Sequence, residues 1–226
     1  MTLRSPPVRF LTRAHAGRLL ADRLVHFRAR DPVVVAMPRG GVPVGYEIAR
    51  ALEAPLDVVI VRKLGSPGQP ELAIGALVDG DRPEVVLNPE IVRATGADQV
   101  HLEREIERQL QLARAREERY RRGRAAVPIE GRPAILVDDG MATGATARAA
   151  VRGLRRRGPG SIVLAVPVAA PDALEVLRGE VDDVVCLHSP RTFSSVGAFY
   201  EDFGQTTDEE VVELLDASAA RRAGLH

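Results

Sequence analysis

The sequence predicts an α/β fold built on a mainly parallel sheet with helices on both faces. Three observations predict it. Short runs of Val, Ile, Leu and Ala alternate with stretches of helical periodicity, the pattern of successive βαβ units. Two of the apolar runs pass directly into Gly-containing turns, which in open α/β sheets sit where ligands bind. With 226 residues and 45% hydrophobic content, the chain can bury the core of one domain.

Residues 12–29 place Ala16, Leu19, Leu20, Leu24 and Phe27 at helical spacing, with Thr12 as N-cap. Val33 to Met37 reads as a buried strand, followed by the turn Pro38-Arg39-Gly40-Gly41 and a helix to about Glu53. Leu56 to Val61 is the next strand. Residues 64–72 are packed with turn formers and read as a mobile loop. Ile74 to Val78 and Val85 to Leu87 suggest a hairpin closed by Asp79-Gly80-Asp81.

Residues 98–124 carry the longest helical signal, with Leu102, Ile106, Leu110 and Ala113 in one apolar stripe. Acids dominate its first half and arginines its last turns, as the helix dipole favours. A solvated helix over the core and an RNA-binding face both fit this pattern. Ala134 to Asp138, Ile162 to Val166 and Val184 to Leu187 complete the strands, with a helix from Ala145 to Arg157 between the first two. A last helix starts at Thr207 with a capping box to Glu210, and the tail from Ser218 reads as loose. Residues 1–226 form one domain in this reading.

Composition narrows the function classes. Basic and acidic residues balance at 31 each, so no global field draws the chain to nucleic acid or membrane. The single Cys186 excludes an internal disulfide and a cysteine zinc cage, and its apolar surroundings suit a core residue. No apolar run is long enough to span a bilayer and the N-terminus lacks a hydrophobic signal region, so a soluble, cytoplasmic protein is expected. Of the basic residues, 30 are Arg and one is Lys, at position 63. A Lys in an Arg-saturated chain suits a place that needs a compact point charge rather than a planar fork.

The most informative stretch is Ala134-Ile-Leu-Val-Asp138-Asp139-Gly140-Met141-Ala142-Thr143-Gly144-Ala145-Thr146. A buried strand runs into two adjacent carboxylates, then a small-residue loop, then a helix. Loop amides and a helix N-terminus make a phosphate cradle, to which Thr143 and Thr146 add hydroxyls. Two acids beside a phosphate need another partner, such as sugar hydroxyls or a metal. A ribose 5-phosphate satisfies both demands. A nucleoside-triphosphate loop would need Lys after a loop glycine, and none follows.

This order of strand, acid pair, loop and helix resembles the phosphoribosyl pyrophosphate (PRPP) loop of the type I phosphoribosyltransferases. Arg39-Gly40-Gly41 resembles the family's pyrophosphate loop, where a non-proline cis peptide is common and would fall at Pro38-Arg39 or Arg39-Gly40. Arg62-Lys63-Leu64-Gly65 resembles the stretch whose Lys reaches pyrophosphate, and the loop after it takes the place of the family's closing loop. The resemblance covers roughly residues 33–187. It implies a twisted five-stranded core sheet over about 10–187, a helical insertion at 98–124 and a small C-terminal hood at 188–216.

It also implies an activity: Mg2+-dependent transfer of ribose 5-phosphate from PRPP to a nitrogenous base, as in nucleotide salvage. Lys63, Arg39, Asp138 and Asp139 would be catalytic, and PRPP would lie on Arg39, Gly40, Gly41, Lys63 and residues 138–146. Mg2+ would sit largely on PRPP oxygens, with Asp138 or Asp139 as its protein ligands. In the hood, Phe199 or Tyr200 would stack on the acceptor while Glu201 or Asp202 accepts its N–H. A satellite core at the sheet edge explains the same aromatics equally well. Ala142 stands where enzymes for 6-oxopurines carry an acid, so an amino-substituted purine or a smaller base is expected. A homodimer is compatible with this reading. A PRPP-sensing regulator using the Arg-rich helix end to bind RNA or a protein, and a phosphoribosyl hydrolase or phosphorylase, are the competing readings.

Overall fold

The computed structural model describes residues 9–80 and 83–224. Helix α1 (Arg13–Leu24) is capped by Thr12, whose hydroxyl accepts from the His15 amide at 3.1 Å. Strand β1 (Val33–Ala36) leads into α2 (Gly41–Leu52), and β2 (Leu56–Val58) follows. Strands β3 (Val61–Ser66), β4 (Gln69–Val78) and β5 (Glu84–Leu87) come next, then α3 (Pro89–Thr95) and the long α4 (Gln99–Arg121). The rest is β6 (Pro133–Val137), α5 (Ala145–Arg156), β7 (Ser161–Val168), α6 (Pro171–Arg178), β8 (Asp183–His188) and α7 (Asp208–Ala223).

Five strands form a parallel sheet in the order β2-β1-β6-β7-β8. Side chains alternate across it. Val34 and Ala36 point into a core shared with α2, α4 and α7, whereas Val33 and Val35 point into one shared with α5 and α6. Both faces are thus covered, as parallel sheets require. Register places the site: Ala36 is level with Val58 on one side and Val137 on the other. The loops after β1, β2 and β6 therefore leave one edge side by side. No helix among the described residues is long and apolar enough to cross a membrane.

Three expectations need correction. The run from Leu56 to Val61 is not one strand. The Val59 amide still bonds Ala36 O at 3.0 Å, but Ile60 O accepts from Asp79 N at 3.0 Å, so the chain has already passed into a second sheet. Residues 64–72 are not an irregular loop. They belong to the antiparallel hairpin β3–β4, in a three-stranded sheet of order β3-β4-β5. Only Pro67 and Gly68 turn, with Gly68 at φ +71°, and buried Leu64, Ile74 and Leu77 root the hairpin in the core. The tail from Ser218 is helical to Ala223, with Ser218 buried against the body. The β4–β5 pairing is as expected; Asp81 of the expected closing turn lies outside the described residues.

Candidate active site

The loop after β1 packs against the end of β6. The Pro38–Arg39 peptide is cis, and the turn closes through Gly41 N to Met37 O and Val42 N to Arg39 O, both 3.1 Å. A methyl on Gly40 would overlap the Asp139 carboxylate, with Cγ only 2.5 Å away. One on Gly41 would stand 2.6 Å from Val137 O. Glycine is needed here because two backbones and a carboxylate share the space. Arg39 Nη1 reaches to 4.0 Å from Asp208 Oδ1, at the start of α7.

Asp138 and Asp139 follow β6, half-buried. Asp138 Oδ1 accepts the Asp139 amide at 2.9 Å. Burial, and after it the charge of Asp139, pushes the Asp138 carboxyl well above the usual range. Burial raises Asp139 too, and Arg13 offsets only part of that rise: Arg13 Nε donates to Asp139 Oδ2 at 2.7 Å. Arg13 is itself fixed, donating through Nη1 to Gly204 O at 2.6 Å and stacking 3.9 Å above the Phe203 ring. The Tyr200 hydroxyl donates to the main-chain oxygen of Asp139 at 2.6 Å. Asp139 is therefore held at side chain and backbone by the first helix and the hood.

Beyond the acids, residues 140–144 form the loop and Gly144 starts α5 at φ +73°, a conformation that favours glycine. The amides of Ala142, Thr143 and Gly144 have no protein acceptor among the described residues. Thr143 and Ala142 are exposed, and Thr143 Oγ1 lies 3.5 Å from Ala145 N. Met141 is buried, its amide bonding Val168 O at 2.9 Å, and Val196 of the hood packs against Gly140. A ring of free amides at the positive end of a helix can hold a phosphate.

Lys63 lies on β3, its side chain exposed and without an ion pair or hydrogen bond among the described residues. The hood differs from one of its two expected forms. Phe199 and Tyr200 are 7% and 5% exposed and pack with Phe10, Ala16 and Val168. Their rings build a satellite core rather than a stacking platform for a base. Glu201 and Asp202 are exposed, and Asp202 Oδ1 accepts the Gly204 amide at 3.0 Å.

The arginines ending α4 are largely neutralised. Arg119 pairs with Asp208 and Glu209, Arg121 with Asp57 and Glu117, and Arg122 and Arg124 with Asp216. An RNA-binding face loses most of its charge in this way. Sequence reasoning missed Arg13 and Asp208 because each reads as an ordinary residue of a helix's first turn.

For a hard cation the protein offers little beyond the acid pair: no group of three or more His, Cys, Asp or Glu gathers among the described residues. Asp138 has a free carboxylate oxygen, whereas one oxygen of Asp139 already faces a guanidinium. This suits Mg2+ bound mainly by a phosphorylated substrate.

Comparison with known proteins agrees with this geometry. The sequence profile of the phosphoribosyl transferase domain matches residues 11–203. Two Mycobacterium tuberculosis proteins, of strains CDC 1551 and H37Rv, are provisionally named phosphoribosyl transferases. Each is 49% identical over 208 residues, which is 92% of this chain and 46% of theirs. The chain thus spans about half the length of the curated relatives it matches. The crystal structure of TT1426 from Thermus thermophilus is 50% identical, with a TM-score of 0.79, covering 92% of this chain and 98% of that one. With the profile matched across most of its length, the chain belongs to the phosphoribosyl transferase domain family.

Proposed function

We propose that the chain transfers ribose 5-phosphate from PRPP to a nitrogenous base and releases pyrophosphate. One observation carries this reading: an acid pair stands between two anion loops, the amide cradle 140–146 and the Gly40–Gly41 turn packed on Asp139. The 5-phosphate occupies the cradle, and Asp138 with the remaining oxygen of Asp139 accepts the ribose hydroxyls. Arg39, Lys63 and the Gly40–Gly41 backbone face pyrophosphate.

The acceptor nitrogen attacks C1 as the C1–O bond to pyrophosphate breaks. Pyrophosphate leaves with the bonding electrons, and the N–H proton of the base passes to the hood carboxylate that accepts it, Glu201 or Asp202. Positive charge gathers on the ribose ring at the transition state, as in glycoside cleavage. Asp138 stabilises that ring, while Arg39 and Lys63 take up charge on the leaving group. Mg2+, when bound to PRPP, supplies further Lewis-acid assistance to pyrophosphate. Glu201 or Asp202, the exposed carboxylates of the hood, orients the acceptor without stacking on the buried rings.

Incubation with PRPP, Mg2+ and a panel of bases, followed by pyrophosphate release, tests the proposal. Turnover with adenine or a smaller nitrogen base is expected, and hypoxanthine and guanine should be poor because Ala142 offers no carboxylate. PRPP binding without turnover of any base would favour a sensing role instead.

A further inference from the structure

Helix α4 carries a polar network on a face packed against the hairpin. Glu105 and Gln109 are 8% and 6% exposed. Glu105 Oε1 accepts from Gly65 N at 3.1 Å, Gln109 Nε2 at 2.9 Å and Arg108 Nη2 at 2.8 Å. Gln109 Oε1 in turn accepts from Arg62 Nε at 2.8 Å. His101 Nε2 lies 2.9 Å from Gly65 O. The helix thus grips Arg62 by its side chain and Gly65 by both backbone groups, and Lys63 lies between them on β3.

The far end of α4 is anchored near the other cation. Arg121 reaches the buried Asp57 of β2 at 3.0 Å. Arg119 and the Tyr120 hydroxyl hold Asp208 at 2.8 and 2.6 Å, and Asp208 is the carboxylate 4.0 Å from Arg39. A helix that merely covered a core would bury apolar groups here. Burying a carboxylate and an amide is costly unless each polar atom finds a partner, and two of these partners, Arg62 and Gly65, lie on β3 on either side of Lys63.

We infer that α4 is a positioning strut for Lys63, its Glu105–Gln109–His101 network fixing β3 on both sides of that residue so that the ammonium meets the pyrophosphate. This rests on reading Lys63 as a pyrophosphate contact. Glu105, Gln109 and His101 touch no substrate and act through the strand.

A double-mutant cycle tests it, with PRPP affinity measured by calorimetry in the presence of Mg2+. Glu105→Ala should weaken binding about tenfold in the wild-type background and less than about twofold in Lys63→Met, because a residue that acts through Lys63 has nothing left to position. Glu105→Gln, which keeps an acceptor for the Gly65 amide, should recover most of the loss. Amide exchange over residues 61–66 should rise in Glu105→Ala while exchange over 133–137 stays unchanged. Gln109→Leu, which releases Arg62 and takes one donor from Glu105 but leaves Gly65 held, provides a milder variant should Glu105→Ala fail to fold, with a smaller loss of PRPP affinity that again fades in the Lys63→Met background. An undiminished loss in the Lys63→Met background overturns the inference and leaves the role of Lys63 standing. If Lys63→Met binds PRPP as wild type does, the role of Lys63 falls and the inference falls with it.

Discussion

Arg13 and Asp139, 126 positions apart in sequence, meet through a 2.7 Å bond from Nε to Oδ2, and both side chains are largely buried at 12% and 14% exposure. The pair ties the first helix to the second acid of the cradle. It also offsets the repulsion that Asp138 and Asp139 would otherwise exert on each other. Arg13→Met should therefore leave a largely buried carboxylate without its cation and cost about 3 kcal/mol of stability. Arg13→Lys should recover only part of it, since an ammonium cannot bond Asp139 and Gly204 while stacking on Phe203. Urea denaturation of the three proteins checks this, and equal midpoints would show the pair to be incidental.

Gly40 isolates the contact between the two anion loops. Its φ of −61° is open to any residue, so alanine there meets no backbone objection, only the Asp139 carboxylate. Gly40→Ala should keep the fold yet displace Asp139 and weaken PRPP binding by more than about tenfold, the scale of one charge-assisted hydrogen bond. Gly179→Ala is a suitable control, with φ −80° and its nearest neighbour 3.8 Å away. Wild-type PRPP affinity in Gly40→Ala would mean that the Gly40–Asp139 contact plays no part in binding.

Local signals made most of the frame legible in the sequence. The Thr12 and Thr207 caps, the apolar strand expected over 134–138 and found over 133–137, and the helix from Ala145 each depend on neighbours within a few residues, and each element stands within a residue of its expected place. What was hidden depends on long-range partners. Turn formers at 67–68 made 64–72 look irregular, because nothing local reveals that Leu64 and Ile74 share a core with α4 and α7. Phe199 and Tyr200 suit a base platform and a satellite core equally as sequence, and it is packing with the distant Phe10 that makes them a core. Arg13 belongs to the site only because the hood and α1 converge on β6.

Asp57 is another such residue. It is 4% exposed in the middle of β2 and accepts from Arg121 Nε at 3.0 Å, Arg121 Nη2 at 3.2 Å and the Val127 amide at 2.9 Å. Asp57→Ala would leave Glu117 as the one carboxylate on a guanidinium that is only 13% exposed, and would strip the Val127 amide of its acceptor. The expected cost is about 3–5 kcal/mol, as for removing one member of a buried pair, together with loosening of the α4 C-terminus. Calorimetric unfolding and amide exchange over residues 117–127 measure both, and a loss below about 1 kcal/mol would mean that water replaces the carboxylate.

The Glu105 network makes stability depend on pH with a definite sign. Burial works to raise the Glu105 carboxyl, but the bonds from Arg108, Gln109 and the Gly65 amide together outweigh it and hold the group below its ordinary value of 4.5. A carboxyl depressed on folding contributes fully above its unfolded value, and the contribution disappears as pH falls through the folded one. Glu105→Gln is the right comparison because glutamine keeps the shape but does not titrate in this range. The neighbouring charged groups, Arg108 and His101 on α4 and Arg62 on β3, are common to both proteins, so their effects cancel. Wild type should exceed Glu105→Gln by about 1–2 kcal/mol near pH 7, and the gap should narrow as pH falls from the ordinary carboxyl value of 4.5 through the lower one of the folded protein. Denaturation midpoints across pH 3–8 trace it. A gap that stays constant down to pH 3 would mean that Glu105 keeps its charge throughout or that its hydrogen bonds alone, not its charge, secure the hairpin.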